Sequence, residues 1–210
     1  MDKVQKKLLL ISQGWVHPNW FARRELAKLL YDGGNYLLHV INSLEKLPAM
    51  DLEDYPALVL YFHHKTISPQ ALDSLDGYLS KGGGCLALHA ASASFKDTPA
   101  YLKLLGGSFR THGPVESFHV EPTMQADPIF ESIKPFDLHD ERYLHDYEED
   151  VVVHFTSSAG DAPEPFVWTR RHGYGRVCYC AAGHTTSSMR SPSVGRIILD
   201  GLRWCMGEGT

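Results

Sequence analysis

The chain has 210 residues and a mass of 23.5 kDa, enough to bury roughly 70 % of its unfolded surface around one core. With 43 % hydrophobic and 21 % charged residues, the composition excludes a disordered, collagenous or coiled-coil protein. A formal charge of −5 and a pI near 6.2 give no pull towards nucleic acid or an anionic membrane, while 12 histidines point to metal or proton chemistry.

The N-terminal segment Met1–Lys7 leads into only four strongly apolar residues, Leu8–Ile11. A secretory h-region needs about 7–15 and a membrane span about 20, so a cytoplasmic location is expected. Cys85, Cys178, Cys180 and Cys205 lack CxxC spacing, and are expected to be reduced thiols. Cys178 and Cys180 would share one face of a strand, where each reads as a small buried hydrophobe.

The continuous apolar run Lys7–Ser12 predicts a strand buried on both faces. Pro18 opens a helix with Ala22, Leu26, Leu29 and Leu30 on one face, and Gly33-Gly34 stops it. Tyr36–Ile41 and Ala57–Phe62 read as the second and third strands. Ser68-Pro69 is an N-cap followed by an N1 proline, Leu72, Leu75 and Leu79 supply the apolar face, and Gly82-Gly83-Gly84 ends that helix. Cys85–His89 is the fourth strand. Strand, helix and strand at this spacing predict right-handed crossovers in a mostly parallel sheet.

From residue 98 to about 150 the pattern breaks into short apolar pieces, Tyr101–Leu105 and Phe118–Val120 among them. The segment reads as an excursion within a single domain spanning 1–210, shaped as an antiparallel extension, because it is too poor in aliphatic residues to hold its own core. Regular structure resumes with strands at Val151–Thr156, Phe166–Thr169 and Arg176–Ala181. A last helix starts at Ser191-Pro192 with an apolar stripe of Val194, Ile197, Ile198, Leu202 and Cys205. The fold class expected is three-layer α/β/α of the flavodoxin-like type.

Ligands of an open parallel sheet bind beyond the carboxyl ends of its strands. By that rule His17, His63, His64, His89 and His184 all fall at strand ends and are expected to share one rim. His112 lies in a glycine-bounded loop. His39, His119, His139, His145, His154 and His172 are read as incidental to function. The acidic run Asp137–Asp150 reads mostly as a solvated face, although Asp140-Glu141-Arg142-Tyr143 packs two carboxylates, a guanidinium and a phenol into four residues. There is no GxSxG elbow, no GxGxxG and no P-loop, so no nucleotide cofactor is expected.

Several motifs carry a family resemblance. They are Gly82–Ala91 (GGGCLALHAA), Leu105–Phe109 followed by His112, Asp127-Pro128-Ile129, Asp140–Tyr143, Pro165–Trp168, Gly173–Tyr179 through Gly183-His184, and Gly201–Trp204. In this order they resemble the ThuA-like (trehalose utilisation) family, with Asp127 standing where the family usually has a histidine. The resemblance implies a class I glutamine amidotransferase-like fold and a link to disaccharide and 3-keto-sugar catabolism. It also implies that glutaminase chemistry is absent. The strand that would end in the nucleophilic cysteine ends here in His89, with Cys85 four residues too early, while His184 resembles the base position.

These readings lead to an expected enzyme acting on a small-molecule sugar or 3-keto-sugar. His89, Glu141, His184 and Tyr143 are its expected catalytic residues, and Trp15, His112, Asp140 and Trp168 its substrate contacts. Trp20 is a further stacking candidate. His17, His89 and His184 are candidate ligands of a divalent metal such as zinc. The competing reading is a non-catalytic sugar-binding or regulatory module on a degenerate amidotransferase scaffold. A hydrolase using Ser92 or Ser94 is a third, disfavoured because neither serine is at an elbow position. The sequence leaves open whether the chain forms a homo-oligomer.

Overall fold

The computed structural model describes residues 5–13, 18 and 20–208. It contains β1 (Lys7–Gln13), α1 (Trp20–Lys28), β2 (Leu37–Ile41), β3 (Ala57–Phe62), α2 (Pro69–Ser80), β4 (Gly84–Leu88) and α3 (Pro99–Leu105). There follow β5 (Gly107–Pro122), β6 (Phe136–Tyr147), β7 (Val152–Ser158), β8 (Glu164–His172), β9 (Gly175–Cys180), α4 (Thr186–Arg190) and α5 (Pro192–Cys205). The strands form one nine-stranded sheet in the order β2-β1-β3-β4-β9-β8-β7-β5-β6, a mixed α/β fold.

The apolar runs explain the centre of this sheet. Leu8–Ile11 of β1 are buried, because β1 lies between β2 and β3 and pairs in parallel with both. The whole of β3, Ala57–Phe62, is likewise buried. Helix α2 begins where the Ser-Pro signal placed it: Ser68 Oγ accepts the amide of Ala71 at 3.2 Å and Pro69 takes the first turn. Helix α5 lays Val194, Ile197, Ile198, Leu202 and Cys205 into the core, each large aliphatic side chain contributing about 1.5–3 kcal/mol of burial. The four cysteines are buried free thiols.

The mostly parallel sheet expected from the sequence needs correcting. The pairings from β2 through β1, β3 and β4 to β9 are parallel, whereas those joining β9, β8, β7, β5 and β6 are antiparallel. The β7–β8 and β8–β9 links are short, five residues between Ser158 and Glu164 and only Gly173-Tyr174 between the paired residues His172 and Gly175. A parallel return needs a crossover of a dozen or more residues, so such links can only make hairpins. The irregular segment between 98 and 150 supplies α3 and the long β5–β6 hairpin. That hairpin has register shifts between Phe109 and Thr111 and between His112 and Val115, and bulges of this kind bend a ribbon. The bend brings the middle of β6 against the carboxyl end of β4. No helix among the described residues is long and apolar enough to cross a membrane.

Candidate active site

Strand β4 stops at Leu88, one residue before the end expected from the sequence, because His89 turns into the left-handed region with φ +45°. A non-glycine residue in that region costs about 1–2 kcal/mol, so its surroundings must hold it. The His89 carbonyl accepts the Tyr179 hydroxyl at 2.9 Å and the Ser92 hydroxyl at 3.2 Å. The ring donates from Nδ1 to the Ala181 carbonyl at 2.9 Å. That bond fixes the tautomer, placing the lone pair on Nε2. Such a strand-to-helix turn presents its side chain at the carboxyl rim of the sheet.

Glu141 arrives from the bent hairpin. Its Oε2 lies 3.0 Å from His184 Nδ1 and 3.7 Å from His89 Nε2, and its Oε1 lies 3.7 Å from His112 Nδ1. One buried carboxylate therefore meets three imidazoles. On the same face of β6, two residues on, the Tyr143 ring packs against His89 with centroids 4.1 Å apart. Burial and the neighbouring Glu141 and Asp140 carboxylates push the Tyr143 phenol far above its ordinary pKa. It therefore keeps its proton throughout the neutral range and acts only as a hydrogen-bonding group.

His184 is set by the loop after β9. Asp140 accepts the amide of Gly183 at 2.8 Å and that of Thr185 at 2.9 Å, and Tyr61 donates its hydroxyl to the Gly183 carbonyl. Gly183 has φ +132°, a conformation that L side chains rarely adopt, so glycine suits this turn. Burial raises the Asp140 carboxyl above its ordinary pKa, against the opposing pull of the Gly183, Ser188 and Thr185 hydrogen bonds.

Glu141, Tyr143 and His112 line a pocket of about 200 Å³ with His63, Lys96 and Phe109. Lys96 Nζ lies 4.6 Å above the Phe109 ring. A larger hollow of about 620 Å³, between Leu47–Pro56 and the end of α2, sits at the amino end of β3 and β4, where no histidine or catalytic pair converges.

The matched sequence now decides the relationship. The family model for ThuA, trehalose utilisation, matches residues 7–205. The chain belongs to the ThuA family. Solved ThuA-like proteins share the fold. One from Bacteroides uniformis is 22 % identical with a TM-score of 0.78, the match covering 96 % of this chain and 91 % of that one. One from Parabacteroides merdae is 17 % identical with a TM-score of 0.82, over 98 % and 91 %. A β-galactosidase from Rahnella sp. R3 matches at 14 % identity and a TM-score of 0.68, over 97 % of this chain but 31 % of the enzyme. Among curated proteins, none matches the chain.

For this ThuA-family protein the geometry sorts the residues expected from the sequence. His89, Glu141 and His184 come together, with Tyr143 and His112 beside them. Trp15 and His17 lie outside the described residues. Two expected substrate contacts are corrected. Trp168 is fully buried, stacked on Tyr179 at 4.1 Å and donating its indole N–H to the Leu105 carbonyl, so it offers no face to a ligand. Asp140 has no exposed surface and spends its carboxylate on the 183–185 amides, which makes it a positioning residue. Trp20, half exposed on α1, borders a different hollow with Val40 and Arg23. His64 stacks on Phe62 and bonds Gln13, and with His63 it lines a separate hollow outside the Glu141 pocket.

Sequence reasoning missed His145. Its Nε2 lies 3.1 Å from the Tyr179 hydroxyl and 3.3 Å from Ser92 Oγ, and those two hydroxyls are the groups that hold the His89 carbonyl. The signal was present, because Glu141, Tyr143 and His145 alternate along one strand and therefore share a face.

Proposed function

We propose that this ThuA-family chain, built on a three-layer flavodoxin-like scaffold, is a cytoplasmic enzyme of carbohydrate catabolism that acts on a sugar or 3-keto-sugar. The observation that carries this reading is the Glu141 carboxylate set among His89, His112 and His184 and lining a pocket. A carboxylate so placed is suited to remove a proton from a carbon next to a carbonyl, and an imidazole beside it to return one. His184 Nδ1 stands beside Oε2 at 3.0 Å, leaving Oε1 towards His112 and the pocket. Tyr143 donates a hydrogen bond to a substrate oxygen. The pocket volume of about 200 Å³ falls below the roughly 300–1,000 Å³ of sites for drug-sized ligands, which suits one sugar ring at the reacting position.

The test is turnover of a panel of 3-keto-glycosides, including oxidised trehalose, beside their unoxidised parents, with products followed by NMR. The expected result is consumption of a keto compound and none of its parent. If no compound turns over, and sugar binding survives His89→Ala and Glu141→Ala, the protein is a non-catalytic binding module instead.

A further inference from the structure

We infer that His89, Glu141 and His184 form a binding site for one divalent transition-metal ion, with Glu141 as a ligand beside the two histidines. The inference concerns the same residues as the keto-sugar reading, yet its test is binding and not turnover, so either can fail alone.

The donor atoms of these three residues lie within 4.8 Å of one another. Metal–ligand bonds of about 2.0–2.2 Å place neighbouring donors roughly 3–3.5 Å apart, so small side-chain rotations close the set. Glu141 Oε2 already stands 3.0 Å from His184 Nδ1 and 3.7 Å from His89 Nε2.

Three further features point to a cation. First, Glu141 Oε2 is buried and accepts no hydrogen bond from the described residues, and the side chain is only 10 % exposed. A buried carboxylate oxygen carries a large desolvation cost, which coordination to a cation offsets. Second, the His89 Nδ1–H bond to the Ala181 carbonyl is the arrangement that orients a ligating imidazole and leaves Nε2 as the donor. Third, the two ligand-bearing turns are held from outside. Tyr179 and Ser92 hold the His89 turn, and Asp140 holds the loop bearing His184.

Two imidazoles and one carboxylate, the carboxylate lining the pocket, form the donor set of catalytic zinc sites, and of non-haem iron sites. Such an ion would polarise a carbonyl oxygen entering from the pocket, while Glu141 Oε1, on the side of His112, stays available for the proton.

The experiment is titration of untagged, chelator-stripped protein with Zn²⁺ against a chromophoric competitor, together with Co²⁺ absorption spectra. The expected result is one equivalent bound to the wild type, with visible d–d bands from Co²⁺ in a protein site. His184→Ala and Glu141→Gln are each expected to weaken binding by at least about 100-fold. His119→Ala, at an exposed imidazole paired with Asp137, is expected to bind like the wild type. Wild-type protein that binds no ion more tightly than the His184→Ala variant overturns the inference, as does Co²⁺ uptake without d–d bands. If a variant fails to fold, the wild-type stoichiometry and spectrum decide alone.

Discussion

Glu141→Gln is expected to lower turnover of a keto-sugar by about 10³-fold, within the range ascribed to a positioned acid or base, without lowering the melting temperature. The amide keeps the shape of the carboxylate and removes the charge, so the pocket and its imidazole lining persist. Stability should hold because the Glu141 side chain is only 10 % exposed and surrounded by imidazoles. Removing a buried charge relieves a desolvation cost that these neighbours offset only in part. Thermal melts beside steady-state kinetics check both halves. A variant that melts well below the wild type would reassign Glu141 to structure, and one that turns over normally would remove it from the chemistry.

Acid is expected to unfold the protein before its carboxylates titrate, because two histidines are buried in neutral form. Burial pushes the His145 imidazole down to about 3, with Arg110 adding to the effect. Burial likewise pushes His154 down to about 4, against opposing pulls from Asp127 and Gln125. His154 accepts the Asp127 amide on Nδ1 at 3.0 Å and meets Thr169 Oγ1 from Nε2 at 2.7 Å, a pattern that only the neutral ring can make. Both folded-state values lie below the unfolded value near 6.5, so the unfolded chain takes up the protons. Stability is therefore complete above about pH 6.5 and falls as the pH drops towards 4 and then 3. At about 1.4 kcal/mol per pH unit for each group, the pair removes about 4 kcal/mol by pH 5, a large share of the roughly 5–15 kcal/mol of a typical domain. Asp140, whose carboxyl is raised by burial, acts in the opposite sense. Urea melts at about pH 7.5 and pH 5 measure the difference, and His154→Gln is expected to remove about half of it. Equal midpoints at the two pH values would contradict the assignment of neutral buried imidazoles.

Local signals made the parallel half legible. The apolar run of β1, the Ser68-Pro69 cap of α2 and the stripe of α5 each follow from neighbouring residues, and each appears in place. The strand-end rule also pointed to His89 and His184 before any geometry was known. What the sequence did not disclose is non-local. The bend of the β5–β6 hairpin depends on register shifts between paired strands, and these decide that Glu141 meets His89 at all. The run Asp137–Asp150 reads as a solvated face, yet Asp140, Glu141 and Arg142 are buried. Each meets its neighbours from elsewhere in the sequence: the 183–185 amides, the imidazole cluster and Asp161. Trp168 shows the converse, since composition cannot distinguish an aromatic that stacks on a sugar from one that stacks on Tyr179. His145 and His154 read as incidental because a histidine locked in its neutral form has the same sequence appearance as one in solvent.

Solvent exchange tests the central claim that Glu141 handles a proton next to a substrate carbonyl. A 3-keto-glycoside incubated in D₂O with wild-type protein is expected to gain deuterium at a carbon flanking the carbonyl, read by NMR, and with Glu141→Gln to stay at the uncatalysed level. Wild-type protein that binds the keto-sugar without accelerating exchange, or a Glu141→Gln variant that exchanges as fast as wild type, would contradict it.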